Sequence, residues 1–168
     1  MMTFKQELNL ERQLEKWREE RTLTTDPLRK GLLGNVCEEL AKYYRTKNEY
    51  EEIDSLCNIY VFCMNSLKKR VEDVRNFGIE NPWGYGDIIG DFLDYLCSEN
   101  TYRMMLCMEN LAEEKGYEFY GCMLEKIKEM FNKIGKYDEK TNEWIEDKSD
   151  EAKAKWYKAD YEKYKIKE

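Results

Sequence analysis

Two amphipathic runs separated by three residues constrain this chain more than any other feature. Leu32, Leu33, Val36, Leu40 and Tyr43 or Tyr44 recur at helical spacing. Ile53, Leu56, Cys57, Tyr60, Val61, Met64, Leu67, Val71 and Val74 do the same in the second run. Between them stands only Thr46-Lys47-Asn48, too short for anything but a reversal, so the spacing predicts two helices packed antiparallel. Two prolines and nine glycines interrupt 168 residues. Leu, Glu, Lys, Met and Tyr fill the intervals, a composition that favours helices over many short strands. The expected fold is all-α: a helical bundle built on an antiparallel helical hairpin at 28–68, within one domain spanning 1–168.

The remaining chain reads around that hairpin. Leu8, Leu10, Leu14 and Trp17 place an amphipathic helix over 4–21. Asp26 with Pro27 signals the cap and first position of the second helix. Asn76 to Gly86 is glycine-rich and aromatic and reads as a loop; helices are expected over 87–97, 100–114 and 118–133, with Gly116 ending the middle one. Past Gly135 the pattern allows a short hairpin or an irregular loop, and Ser149 opens a final helix to about Tyr164.

Charge and cysteine content bear on function. Hydrophobic residues make up 42% and charged residues 38%, enough apolar content to fold. The net charge of −7 opposes binding of duplex nucleic acid, which depends on clustered Lys and Arg neutralising phosphates, while leaving a local basic patch for a small phosphorylated ligand. Cys37, Cys57, Cys63, Cys97, Cys107 and Cys122 form no CxxC pair, and no histidine is present to complete a zinc site, so they read as reduced core residues. No membrane-spanning run and no apolar leader before Lys5 are evident, and a cytoplasmic location is expected.

The hairpin also carries candidate chemistry. Glu38 and Glu39 lie on its first helix, and Glu51, Glu52, Asp54 and Asn58 on its second. Antiparallel packing brings oxygen ligands from facing helices together, as magnesium or manganese requires. With 35 acidic residues in the chain, neighbouring carboxylates arise by chance. Asp54 and Asn58 stand out because they interrupt the apolar segment Ile53 to Met64, where polar side chains need partners.

Lys30-Gly31-Leu32-Leu33-Gly34-Asn35-Val36-Cys37-Glu38-Glu39-Leu40, followed after the break by Tyr50-Glu51-Glu52-Ile53-Asp54-Ser55-Leu56-Cys57-Asn58-Ile59-Tyr60-Val61-Phe62, resembles the all-alpha nucleotide pyrophosphohydrolases. This is the MazG-like and phosphoribosyl-ATP pyrophosphohydrolase superfamily, particularly its phage-type members. The resemblance implies metal-dependent hydrolysis of a nucleoside triphosphate, deoxy or noncanonical, to monophosphate and pyrophosphate. It implies Mg2+, or Mn2+, held by Glu38, Glu39, Glu51, Asp54 and Asn58, with Glu38, Glu39 and Asp54 catalytic. It also implies a homodimer or homotetramer.

Two departures stand in the motif: Lys42 and Tyr43 occupy the place of a further glutamate, and Asn58 that of an aspartate. A shifted register, with Asn35 and Val36 in the first acidic places and Glu39 in the second, is equally open. Towards the C-terminus, the resemblance implies that Asn132, Lys133 and Lys136 contact phosphate and that Trp17 lies near the base. The plainer reading of these residues is a solvated helix end and a packed indole. Residues 76–115 lie outside the resemblance and read as a helical insertion. The alternative function is a noncatalytic helical protein that keeps the fold and binds a nucleotide or a protein partner.

Overall fold

The computed structural model describes residues 1–75, 88–138, 140–141 and 143–167. Among them the chain is all-α apart from one two-stranded hairpin. Helix α1 (Phe4–Glu20) starts at a capping box in which Thr3 and Gln6 satisfy each other's backbone N–H groups. Helix α2 (Thr25–Arg45) turns through Thr46-Lys47-Asn48 into α3 (Glu49–Ser66), whose first turn is capped by the Asn48 side chain accepting from the Tyr50 N–H. These two form the expected antiparallel hairpin. Then come α4 (Val71–Arg75), α5 (Ile88–Cys97), α6 (Thr101–Glu114) and α7 (Phe119–Asn132). The chain ends with strands β1 (Gly135–Asp138) and β2 (Glu143–Glu146), the short α8 (Asp150–Lys153) and a 3-10 turn, Tyr161–Tyr164.

Helix α3 is central. It packs on α2, α6, α7 and α1, and Ile53, Leu56, Cys57, Ile59, Tyr60 and Cys63 are all at most 1% exposed. Leu10 and Leu14 from α1, Met104, Met105 and Met108 from α6, and Cys122, Met123 and Ile127 from α7 close the same core. Gly116, at φ +79, ends the stretch after α6 in the left-handed conformation that only glycine adopts without strain. No described helix is long and apolar enough to cross a membrane.

Several expectations are corrected. Helix α2 is capped at Thr24, so Pro27 is its third residue and not its first; an unneeded N–H is spared there just the same. The period through Val71 and Val74 does not belong to one long helix. The chain breaks at Leu67, where Arg29 draws off the Ser66 and Leu67 carbonyls (3.2 and 3.3 Å), and α4 restarts with the Val71 N–H on the Glu11 carboxylate (3.0 Å).

The final helix expected from Ser149 to Tyr164 is a single turn followed by extended chain. Side chains of α7 supply its backbone partners in place of i−4 carbonyls: Asn132 accepts from the Tyr157 N–H, Glu129 from Ala159 and Glu125 from Asp160. Cys37 and Cys97 are exposed, against their expected core placement, because α2 buries only Val36 fully and Cys97 ends α5; all six cysteines are free. The expected loop at Asn76 to Gly86 lies outside the described residues.

Candidate functional site

The α2–α3 hairpin, α7 and the end of α1 enclose a cavity of about 430 Å³. Five residues singled out in the sequence meet on its wall: Trp17, Glu39, Asp54, Asn58 and Lys133. Asn35, Lys42, Asn65, Lys126, Glu129 and Glu146 complete its described polar lining. Glu38 points elsewhere: one residue along a helix is a rotation of about 100°, and with Glu39 facing the cavity Glu38 is left exposed. On α2 it is Asn35 and Glu39 that share the cavity wall with Asp54 and Asn58, while Val36 is fully buried and is not part of that wall.

The other expected residues stand apart. Glu51 is exposed and accepts from the Thr46 hydroxyl at the hairpin turn. Asn132 is exposed and holds the tail at Tyr157, and Lys136 is exposed on β1.

Asp54 is the electrostatic centre. One of its oxygens accepts from Lys126 Nζ (2.8 Å) and the Tyr161 hydroxyl (2.8 Å), the other from Lys42 Nζ (3.0 Å) and Asn58 Nδ2 (3.2 Å). Burial alone would raise this carboxyl, but the Lys126 and Lys42 ammoniums overcome it and hold it at about 2. Burial likewise works against the charge on both lysines; Asp54, joined by Glu129 at Lys126 and by Glu39 at Lys42, raises them above the ordinary lysine value. Burial pushes the Tyr161 phenol well up, so it stays a donor. Lys126 is 5% and Asp54 13% exposed, a charge pair removed from water and satisfied on both sides.

Lys133 is held more loosely. Its Nζ lies 4.0 Å from Glu129, 3.9 Å from Glu146 and 5.6 Å from the Trp156 ring centroid, at the limit of ion-pair and cation–π reach. Arg21 fixes the backbone beneath it: the guanidinium lies 5.0 Å from both the Trp17 and Trp144 rings and donates to the Met130 (3.0 Å) and Lys133 (3.3 Å) carbonyls. Trp17 Nε1 donates to the Met130 carbonyl as well (3.3 Å). The end of α7 is thereby fastened to α1, with Lys133 projecting over the cavity.

Lys126, Tyr161 and Glu129 were not singled out in the sequence. For Lys126 the signal was available: it interrupts the apolar run Cys122, Met123, Leu124, Ile127 and Met130, the argument that marked Asp54. Tyr161 carried no such signal, because it reaches Asp54 from a 3-10 turn at the end of a tail held by side chains of α7.

The donor set around Asp54 does not fit a magnesium ion. Four donors already fill both carboxylate oxygens, two of them ammoniums, and a divalent cation needs those same lone pairs. Among the described residues no group of three or more His, Cys, Asp or Glu side chains is placed to hold a metal ion. No family model, curated protein or solved structure matches this chain. What the fold and cavity define is an all-α protein with an alternating-charge pocket between a helical hairpin and α7.

Proposed function

We propose that this pocket binds a small phosphorylated ligand of the nucleoside triphosphate class, with Lys133 and Lys42 on phosphate and Asp54 as the internal anchor of Lys126. The observation that carries this reading is the division of labour among the cations. Lys126, 5% exposed, is committed to Asp54; Lys42 also pairs with Asp54 at 3.0 Å but is 39% exposed, and Lys133, 26% exposed, is held only at 3.9–4.0 Å, so these two are the accessible ammoniums. An ammonium paired at close to 4 Å exchanges a carboxylate for a phosphate oxygen at small cost, since such a pair contributes at most about 1 kcal/mol. Among the described lining residues three lysines meet four carboxylates, so a polyphosphate enters by taking Lys133 from Glu129 and Glu146, and Lys42 from Glu39 and from its closer pair with Asp54. Trp17 offers the cavity an apolar wall suited to a base or sugar.

The second reading is metal-dependent hydrolysis of the triphosphate to monophosphate and pyrophosphate. The gathering of Asn35, Glu39, Asp54, Asn58 and Glu129 on one cavity favours it. It requires magnesium or manganese to take Asp54 from Lys42. A homodimer or homotetramer belongs to either reading, supported by the exposed Cys37 and Tyr44 on α2.

The test is to incubate the protein with canonical and modified nucleoside triphosphates, with magnesium, manganese or chelator, following thermal shift and products by chromatography. Stabilisation by a triphosphate in chelator without turnover is the expected result. Metal-dependent release of pyrophosphate moves the function to the second reading, and no stabilisation under any condition removes the first.

A further inference from the structure

A second and larger cavity, about 1050 Å³, opens between α2, the α3–α4 link and the α5–α6 link, and shares no lining residue with the first. Its charge runs against that of the molecule. Among its described lining residues, Arg29, Lys30, Lys68, Lys69 and Arg103 stand with one acid, Glu99, in a chain of net charge −7. Lys30 and Lys68 are exposed at the rim, and Lys68 gives Glu99 only a surface pair at 3.3 Å. Arg29 is turned inward to the Ser66 and Leu67 carbonyls and holds the wall in shape.

Beneath the rim the floor is aliphatic. Leu32, Leu33, Leu67, Val74 and Leu96 line it, and Leu33 is 61% exposed. Among the described lining residues the aromatic one, Tyr102, is 5% exposed with its hydroxyl on the Glu7 carboxylate (3.2 and 3.3 Å), so its ring face is not offered for a base to stack on. The volume lies at the top of the range for small-ligand pockets, roughly 300–1,000 Å³. An apolar floor ringed by polar groups is the anatomy of a peptide-docking surface, and the surplus positive charge selects the partner's sign.

We infer that this groove docks an acidic segment of a partner protein, with Leu- or Ile-type side chains on the floor and Asp or Glu carboxylates on Lys30, Lys68 and Arg103. The carboxylate-to-ammonium contacts sit at the rim and set partner choice and salt dependence; the aliphatic contacts supply the desolvated centre.

The experiment uses the full chain and fluorescence anisotropy with three labelled fifteen-residue peptides: one with Leu every third or fourth position and Glu between, one with Lys replacing every Glu, and one with Ser replacing every Leu. The Leu/Glu peptide should bind, more weakly as salt rises, and the other two should not. Lys30→Glu/Lys68→Glu should weaken it tenfold or more and Leu33→Ser several-fold, with the helical circular-dichroism signal unchanged, since all three side chains are exposed. Equal binding of the Glu and Lys peptides, no binding of the Leu/Glu peptide, or binding unchanged in the double variant overturns the inference. Capture of a single-stranded oligonucleotide or of phosphatidylserine vesicles in place of the peptide, lost in the same double variant, overturns the assigned class of partner.

Discussion

Asp54 and Lys126 stand or fall together. Replacing Asp54 with Ala leaves the Lys126 ammonium, 5% exposed, without its closest partner, and removal of one member of such a pair costs about 3–5 kcal/mol. The Asp54→Ala/Lys126→Met double variant removes both charges and should regain most of that loss; urea midpoints of the three proteins measure it, and a single variant within 1 kcal/mol of wild type, on the order of a surface effect, contradicts the anchoring role. Because the Asp54 carboxyl sits at about 2, below its ordinary value of about 3.9, the unfolded chain takes up this proton first. The stability it contributes is complete above about pH 4 and is lost as pH falls towards 2.

Glu109 carries the opposite sign. It is 1% exposed in a buried group with Glu7, Tyr102 and Tyr60, accepts from the Met2 N–H, and faces Glu113, Arg75 and the Met1 ammonium. Burial raises it to about 7. The native state then keeps a proton that the unfolded chain has released above about pH 4.3, so stability declines between there and pH 7 by about 3 kcal/mol. Glu109→Gln keeps an acceptor for Met2 and should be more stable than wild type at pH 8 but not at pH 4.5. Equal melting shifts at the two pH values contradict this.

At the scale of elements, the tail is the part most dependent on tertiary contacts. It runs along α7 on side-chain partners, and Gly121 makes room for it: a Cβ there would sit 1.9 Å from Tyr164 Cδ1 and 2.5 Å from its Cγ. Gly121→Ala should displace the 3-10 turn, pull Tyr161 from Asp54 and cost about 1–3 kcal/mol, with faster trypsin cleavage after Lys153 and Lys155. An unchanged midpoint and unchanged cleavage would show that the ring moves aside freely.

The same contrast explains what was legible in the sequence. Helices α1, α6 and α7 carry their own apolar period and caps, and their limits fall within a residue or two of those read from it; α3 begins at its cap as the break at Thr46-Lys47-Asn48 implies. The α3–α4 break and the tail depend on Arg29, Glu11, Glu125 and Glu129, partners distant in sequence, so local pattern overextends both helices. The site was legible to the extent that a polar residue in an apolar run needs a partner. That argument found Asp54 and Asn58, and applies equally to Lys126. Which of Glu38 and Glu39 faces inward depended on a register that only the packed hairpin resolves.

Across the whole molecule, charge is sorted by surface. Among the described residues, the pocket at α7 mixes three lysines with four carboxylates, while the groove at the α5–α6 link gathers five cations around one acid. The two sites therefore differ in salt response. Ligand exchange in the first swaps one ion pair for another, whereas occupancy of the second adds pairs at an exposed rim that salt screens within about 8–10 Å.

The most direct measurement is calorimetric titration of the protein with a nucleoside triphosphate panel in chelator and in magnesium, on wild type, Lys133→Ala and Lys42→Ala. The account predicts binding that persists in chelator and weakens tenfold or more in Lys133→Ala, without pyrophosphate in any sample. Binding confined to magnesium, with pyrophosphate release that increases when Lys42 is removed from Asp54, would contradict it and establish the hydrolytic reading.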